Sequence, residues 1–412
     1  MAIPHLFHTR AAKEKTSVPQ SKHVKISIPL DNGDPSLIQP LIVKSEFVGL
    51  ENITHLAAGG ETPMLKSHRQ AIDQFMIDKS RGEEARRLEA DMVELARGKC
   101  SRLFSVKPEE ITFLSNASEG INNLAYGLEW RSGDNVVVVD VEFPSGLLPW
   151  TRFEGLGVEV RVVRHKNWFV ELEDIAALID ERTRVVCISH VSMFTGQRID
   201  LESLSRLVRS SDALLLLDAT HAAGVVPVDA SLADIMVSSC YKWLLGVHGA
   251  AVFYVNRDRL PDFRPPFLGW NSPAQHGGWE KPTEFTLQPS AHQFQPGNAG
   301  FISVYILNNA LDHVLETGIN AIEQHALALS GAIYKAVESL GFELMTPSED
   351  SQRAGNVCFM AENLEAIREE LERQQVLIWG AYAGFGRLRI STHLYNDSTD
   401  VERCIAALKK PE

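Results

Sequence analysis

The sequence predicts an α/β protein organised around a mostly parallel sheet flanked by helices, with a smaller α+β region towards the C-terminus, and three observations carry that prediction. Several short runs are apolar throughout: Val136-Val-Val-Val139, Val185-Val-Cys-Ile188 and Ala213-Leu-Leu-Leu-Leu217. A strand covered on both faces has that composition, and strands of parallel sheets are covered on both faces. Each run ends in polar or acidic residues, and in open α/β sheets ligands collect at the carboxyl ends of strands. Between the runs, apolar residues recur at helical spacing, as at Ile121, Leu124, Ala125 and Leu128.

At 412 residues the chain is long for one compact core, so lobes are expected. The boundaries fall at a partly extended N-terminal arm over 1–50, a large α/β domain over 51–290 and a small α+β domain over 291–412. The formal net charge of -13 argues against nucleic acid as a partner, because phosphate backbones need a basic surface. Five scattered cysteines, Cys100, Cys187, Cys240, Cys358 and Cys404, lack metal-ligand spacing and read as reduced thiols. The N-terminus has no continuous apolar segment and no stretch approaches membrane-spanning length. A cytoplasmic protein that contacts neither membrane nor nucleic acid is expected.

Residues 1 to about 35 are polar and bear Pro and Gly, as an extended arm does. Ile53 to Pro63 reads as a short strand running into a glycine loop, with Pro63 opening a helix. Ala85 to Phe104 places Leu88, Met92, Leu95 and Ala96 on one helical face for packing. Ile111 to Leu128 reads as strand, turn and helix, the helix N-terminus offering N–H groups to an anion, with Ser115 or Ser118 as its cap. Further on, Glu171 to Glu181 is helix-like, and 264–279 is a loop-rich stretch with exposed-looking aromatics.

Two residues concentrate the chemistry. Asp218 stands where Ala213–Leu217 ends, and Lys242 follows the apolar run of 235–237 amid Tyr241, Trp243 and Leu244, a setting that lowers an amine's pKa. Singly, Asp218 also suits a helix N-cap and Lys242 a surface lysine whose stem covers apolar groups. Together, an acid and an amine on neighbouring strand ends fit pyridoxal phosphate: the lysine joins its aldehyde and the acid keeps its pyridine nitrogen protonated.

Asp218-Ala-Thr-His221, Ser239-Cys-Tyr-Lys242 and Arg389-Ile-Ser-Thr-His-Leu-Tyr-Asn396 resemble the class V aminotransferase family of fold type I pyridoxal-phosphate enzymes, which includes cysteine desulfurases and isopenicillin epimerase-like proteins. The resemblance runs from about residue 50 to the C-terminus. It implies a seven-stranded sheet, a large cofactor-binding domain, a homodimer and an amino-acid or amino-acid-derived substrate. It further implies that Lys242 carries the cofactor and moves the Cα proton, Asp218 meets the pyridine nitrogen and His221 faces the ring oxygen. Ala117, Ser118 and Ser239 would cradle phosphate, Phe143 would stack on the ring and Tyr241 precedes the lysine. Arg389 would hold the substrate carboxylate, beside Gly59, Gly60 and Glu61, whereas Arg387 is expected in a surface ion pair. The family's asparagine near the phenolic oxygen falls on Met193, leaving Ser189, His190 or Ser192 for that contact. Asn298 takes the approximate place of a threonine that, in dimeric relatives, reaches the other subunit's phosphate.

Desulfurases carry a nucleophilic cysteine shortly before the arginine, and Trp379 to Gly386 contains none, so persulfide chemistry is disfavoured. The family resemblance makes a class V aminotransferase the first reading. A β-eliminating C–S lyase is next, then an epimerase or a decarboxylating deaminase. A catalytically silent binding protein on the same fold is the non-enzyme alternative.

Overall fold

The computed structural model describes residues 37–379 and 386–409. The expected arm of residues 1 to about 35 lies outside that range, as does most of the stretch where desulfurases carry their cysteine. Every described helix and strand belongs to the unit that begins at Ile38.

The unit opens with β1 (Thr54–Leu56), α1 (His68–Lys79) and α2 (Glu83–Leu103). Strands and helices then alternate: β2 (Ile111–Leu114), α3 (Ala117–Gly127), β3 (Asn135–Val139), α4 (Pro144–Thr151), β4 (Glu159–Val163), α5 (Leu172–Ala176), β5 (Thr183–Ser189) and α6 (Leu201–Arg209). Next come β6 (Leu214–Asp218), β7 (Ile235–Ser239), β8 (Ala251–Val255) and a hairpin of β9 (Pro273–Gly277) and β10 (Lys281–Leu287). Two long helices come after the hairpin, α7 (Phe301–Thr317) and α8 (Ile319–Ser339). The chain closes with β11 (Glu343–Leu344), β12 (Asn356–Met360), α9 (Leu364–Arg373), β13 (Val376–Ile378), β14 (Arg387–Ser391) and α10 (Ser398–Leu408).

Seven strands form one sheet in the order β2-β8-β7-β6-β5-β3-β4, parallel except at the two pairs made by β8. The apolar runs are its central strands, with every position of β3 and β7 buried. The register pairs Ser189 with Asp218 and Asp218 with Val237. That alignment brings the carboxyl ends of β5, β6 and β7 to one level, where a ligand crevice forms in such sheets.

The C-terminal elements build a three-stranded antiparallel sheet, β11-β12-β14. β1 pairs in parallel with β13, Thr54 opposite Val376, and Ala57 bridges to Ser391. The strand that starts the unit therefore packs with its last elements.

Four local expectations are corrected. Pro63 does not open a helix: 61–64 has no regular secondary structure and α1 begins at His68, because Thr62 Oγ1 is drawn to the carbonyls of Tyr241 and Lys242, at 3.2 and 3.0 Å. α2 buries Ala85, Glu89, Val93, Ala96 and Cys100, while Leu95 is exposed; the small residues on that face allow close packing against α7. The 171–181 helix stops at Ala176, since Asp180 turns to accept from Asn135 Nδ2 at 2.9 Å and Arg161 Nη1 at 2.7 Å. The loop-rich 264–279 stretch instead contributes β9 to an exposed hairpin.

Candidate active site

β6 ends in Asp218, whose backbone pairing fixes it while the chain leaves the sheet. The side chain does not cap a helix; Oδ1 accepts from Thr220 N–H at 2.8 Å in a tight turn. Burial pushes its pKa up, against the pull of Thr220 and the Lys242 charge. Thr220 Oγ1 in turn accepts from Ser239 N–H at 3.1 Å, tying the ends of β6 and β7 together.

Lys242 lies three residues beyond β7 and is half-buried, with its amine turned inward against His221, which excludes the surface reading. Its pKa is lowered to about 8, first by burial and then by the positive charge of Arg389, with Asp218 and Glu61 opposing. Its amine lies 3.1 Å from His221 Nε2, 5.8 Å from the Phe143 ring centre and 5.5 Å from that of Tyr241. Trp243 grips the loop: its ring is buried, its carbonyl accepts from His393 Nε2 at 2.9 Å, and Gly224 passes so close that a Cβ there would lie 2.3 Å from that carbonyl. Tyr241 stacks on His248 with ring centres 3.9 Å apart.

The helix start after β2 is capped by Asn116, whose side chain accepts from Glu119 N–H at 2.9 Å, and not by Ser115 or Ser118. Ser118 Oγ instead meets Ser145 Oγ at 2.6 Å, in the first turn of α4. Ala117 N–H donates to Ser239 Oγ at 3.3 Å. Two helix N-termini and three hydroxyls thus converge at the strand ends, a donor set suited to a phosphate. Gly120 permits it, since a Cβ there would lie 2.5 Å from Val237 Cγ1 and hold α3 off the sheet.

β14 brings Arg389 to the crevice, buried, with Nη1 donating to Met193 O at 3.0 Å. Arg387 is also buried and not in a surface ion pair. It donates to the carbonyls of Met193 and Phe194, at 2.9 and 2.6 Å, and lies over the Phe194 ring, because β14 is interior to the lobe at every position. Gly60 packs under Trp379, where a Cβ would lie 2.2 Å from Cγ, and Glu61 Oε1 meets His248 Nε2 at 2.7 Å.

Lys242, Asp218, His221, Phe143, Ala117, Ser118, Ser239, Tyr241, Arg389, Gly60 and Glu61 therefore lie around these strand ends. One expected residue does not join them. Ser192 Oγ donates to Val141 O and accepts from Phe194 and Thr195 N–H, so its hydroxyl serves the turn. Asn298, expected to meet the other subunit's phosphate, is exposed in the loop before α7. His190 donates its backbone N–H to Asp218 O at 2.9 Å, and burial lowers its ring pKa to about 3, which suits a structural residue. Sequence reasoning missed Thr62, Glu142, Ser145, Thr220 and Asn356. Of these, Ser145 carried a readable signal, a hydroxyl just inside a helix that starts on Pro144.

Among the described residues no cluster of metal-ligating side chains occurs, and no helix is long and apolar enough to cross a membrane. The fold and the strand-end lysine define a fold type I enzyme scaffold. The chain matches the Aminotransferase class-V family over residues 78–404 and belongs to it. It is similar to a cysteine desulfurase of Salmonella agona, 28% identical over 341 residues, 78% of this chain and 82% of that one. An uncharacterized aminotransferase of Schizosaccharomyces pombe is 25% identical over 393 residues, 90% of this chain and 93% of the other. Among solved structures, the apo cysteine desulfurase of Thermococcus onnurineus superposes with a TM-score of 0.81 at 21% identity, covering 89% of this chain and 96% of that one. The cystine C–S lyase C-DES, solved with its product cysteine persulfide, does so with a TM-score of 0.81 at 22% identity, covering 88% and 99%.

The cofactor of this family is pyridoxal phosphate, and the residues present fit it: an amine of lowered pKa, a buried carboxyl, an exposed aromatic ring and a nest of hydroxyls at two helix starts. When bound, the cofactor supplies an aldehyde that takes an amine and a ring that withdraws electrons from Cα.

Proposed function

We propose that this protein is a pyridoxal-phosphate-dependent carbon–sulfur lyase that breaks the Cβ–S bond of a cysteine-type amino acid without a protein thiol. The observation that carries the reading is the pairing of a poised lysine with the lack of any exposed thiol. All five cysteines are buried, and burial raises each thiol's pKa, that of Cys240 to about 12. A desulfurase that passes sulfur through its own cysteine needs a reachable thiolate, whereas β-elimination needs a base at Cα.

In this reading Lys242 would hold the cofactor through its amine and would take the substrate's Cα proton on Nζ. The Cβ–S pair leaves on sulfur, and hydrolysis of the enamine product gives pyruvate and ammonia. Asp218 would keep the ring nitrogen protonated, His221 would face the ring oxygen, Phe143 would cover the ring, and Ala117, Ser118 and Ser239 would hold phosphate. Arg389 takes the substrate carboxylate through its planar fork, with Gly60 and Glu61 lining the pocket. Similarity to cysteine desulfurases, and a fold shared with a cystine C–S lyase, support a sulfur amino acid as substrate.

Transamination is the second reading, favoured by similarity along most of the chain to proteins named as aminotransferases. One assay separates the two: cystine, cysteine and a panel of sulfur-free amino acids are supplied to the purified enzyme. Pyruvate, ammonia and released sulfur in equal amounts support the lyase. A keto acid with the amino group retained on the cofactor rejects it in favour of transamination, and a protein that takes up no cofactor rejects both.

The proposal includes a homodimer. Trp270, Trp279 and Phe285 around the hairpin, and Met76, Ile77 and Leu95 on α1 and α2, are exposed, and a second copy would cover them. A monomer mass by light scattering would reject this part.

A further inference from the structure

The geometry points to Asn356 as a positioning residue that fixes the tautomer of His221 and, through it, favours the proton-free form of the Lys242 amine. The inference rests on reading Lys242 as the cofactor lysine, and it adds a residue of the C-terminal sheet to the machinery.

Four side chains stand in line. Lys242 Nζ is 3.1 Å from His221 Nε2, His221 Nδ1 is 3.2 Å from Asn356 Nδ2, and Asn356 Oδ1 accepts from Ser391 Oγ at 2.8 Å. His221, Asn356 and Ser391 are buried. A Cβ on Gly59 would come within 2.8 Å of Ser391 Oγ and 2.9 Å of Asn356 Oδ1, so the glycine loop closes tightly over that end.

Because the carboxamide oxygen is taken by Ser391, the NH2 group faces the imidazole, and an NH2 group only donates. Nδ1 must therefore present its lone pair. Burial, with Lys242, Arg389 and Arg387 nearby, pushes the His221 pKa well below its usual value, so the ring is neutral. A neutral imidazole carries one N–H, which places it on Nε2. Nε2–H points at Lys242 Nζ, and only an unprotonated amine has a lone pair to accept it. Of the charged groups that act on that amine, Arg389 works with burial towards the same state while Asp218 and Glu61 oppose it, and the balance brings the amine's pKa down to about 8, so the proton-free form is within reach near neutral pH. Asn356 and Ser391 are register partners on β12 and β14, and β14 also carries Arg389. The strand that presents Arg389 is thus tied to the protonation of the lysine.

The test uses the full chain freed of cofactor and labelled with 15N-histidine, the His221 signals being assigned by their loss in His221→Gln. The expected spectrum shows a protonated Nε2 and a bare Nδ1. In Asn356→Asp the carboxylate accepts from Nδ1–H, the tautomer inverts, and Nε2 accepts from a lysine ammonium. The pKa of Lys242, read from the pH dependence of its acylation by mass spectrometry, then rises by about one unit, and covalent attachment of added pyridoxal phosphate near neutral pH slows about tenfold. Since an aspartate would raise that pKa by its charge alone, Ser391→Ala is the second variant. It frees the carboxamide to turn without adding charge, and a mixed tautomer is expected. A protonated Nδ1 in the wild type, or a tautomer unmoved in both variants, overturns the proposal; a purely structural asparagine would lower the melting temperature and leave the tautomer alone. The expected tautomer in a chain that never attaches pyridoxal phosphate would sustain the role of Asn356 and sink the proposed function instead.

Discussion

Glu142, just past the end of β3, accepts from the N–H groups of Phe143 and Ser189, each at 2.7 Å, and from the Ser189 hydroxyl. It thereby joins the loop that presents Phe143 to the strand beside Asp218. Burial, then the neighbouring Asp218 charge, raises its pKa to about 7. A carboxyl raised in the folded state stabilises fully below its unfolded value, near 4.3, and that contribution is lost as pH climbs through about 7, a change of about 3 kcal/mol. Urea unfolding of the cofactor-free protein between pH 4.5 and 7.5 should show this decline, flattened in Glu142→Gln; an unchanged slope would refute the assignment. Lys242 has the opposite character, a base lowered to about 8. Cofactor attachment should accelerate as pH rises through about 8. Lys242→Met should abolish attachment while stabilising the cofactor-free protein at pH 7 by up to about 3 kcal/mol, measured by the same unfolding curves.

At the scale of elements, the site depends on close approach between segments that do not pair in the sheet. Gly224, at φ +94°, has no room for a Cβ against the Trp243 carbonyl, and positive φ adds about 1–2 kcal/mol of strain for an L-residue. Gly224→Ala should therefore lower the melting temperature and slow cofactor attachment together, because the displaced carbonyl belongs to the residue after Lys242. Normal attachment in a destabilised variant would show that the loop holds its place without this contact.

Across the whole molecule, Asp400 joins the first elements of the unit to the last. Buried at the start of α10, it accepts from Lys44 Nζ at 2.8 Å, Thr54 Oγ1 at 3.0 Å and Asn396 Nδ2 at 2.9 Å. Asp400→Ala leaves all three donors without this acceptor, at a cost of about 2–4 kcal/mol. β1 should loosen from β13 first, and hydrogen exchange should report faster amides over 54–56 and 376–378 than over β3 or β6. Equal protection in all four strands would contradict that order.

Strands, the acid at 218 and the amine at 242 were legible because each is a local pattern: an unbroken apolar run, then a charge at its end. Seven aligned strands, and the crevice at their carboxyl ends, arise from such runs. The packing face of α2 was misjudged because two faces carry apolar residues and only α7 selects between them. Arg387 was misjudged because a charged residue in a strand reads as surface, and its carbonyl partners lie near residue 193. Thr62, Glu142 and Asn356 left no trace in the sequence, since each acts on a residue far along the chain. The sequence by itself determined which segments become the central strands and which amine and acid reach their ends. Only the tertiary structure decided their protonation and tautomers, because desolvation and Coulomb interactions depend on distances in space and not on separation along the chain.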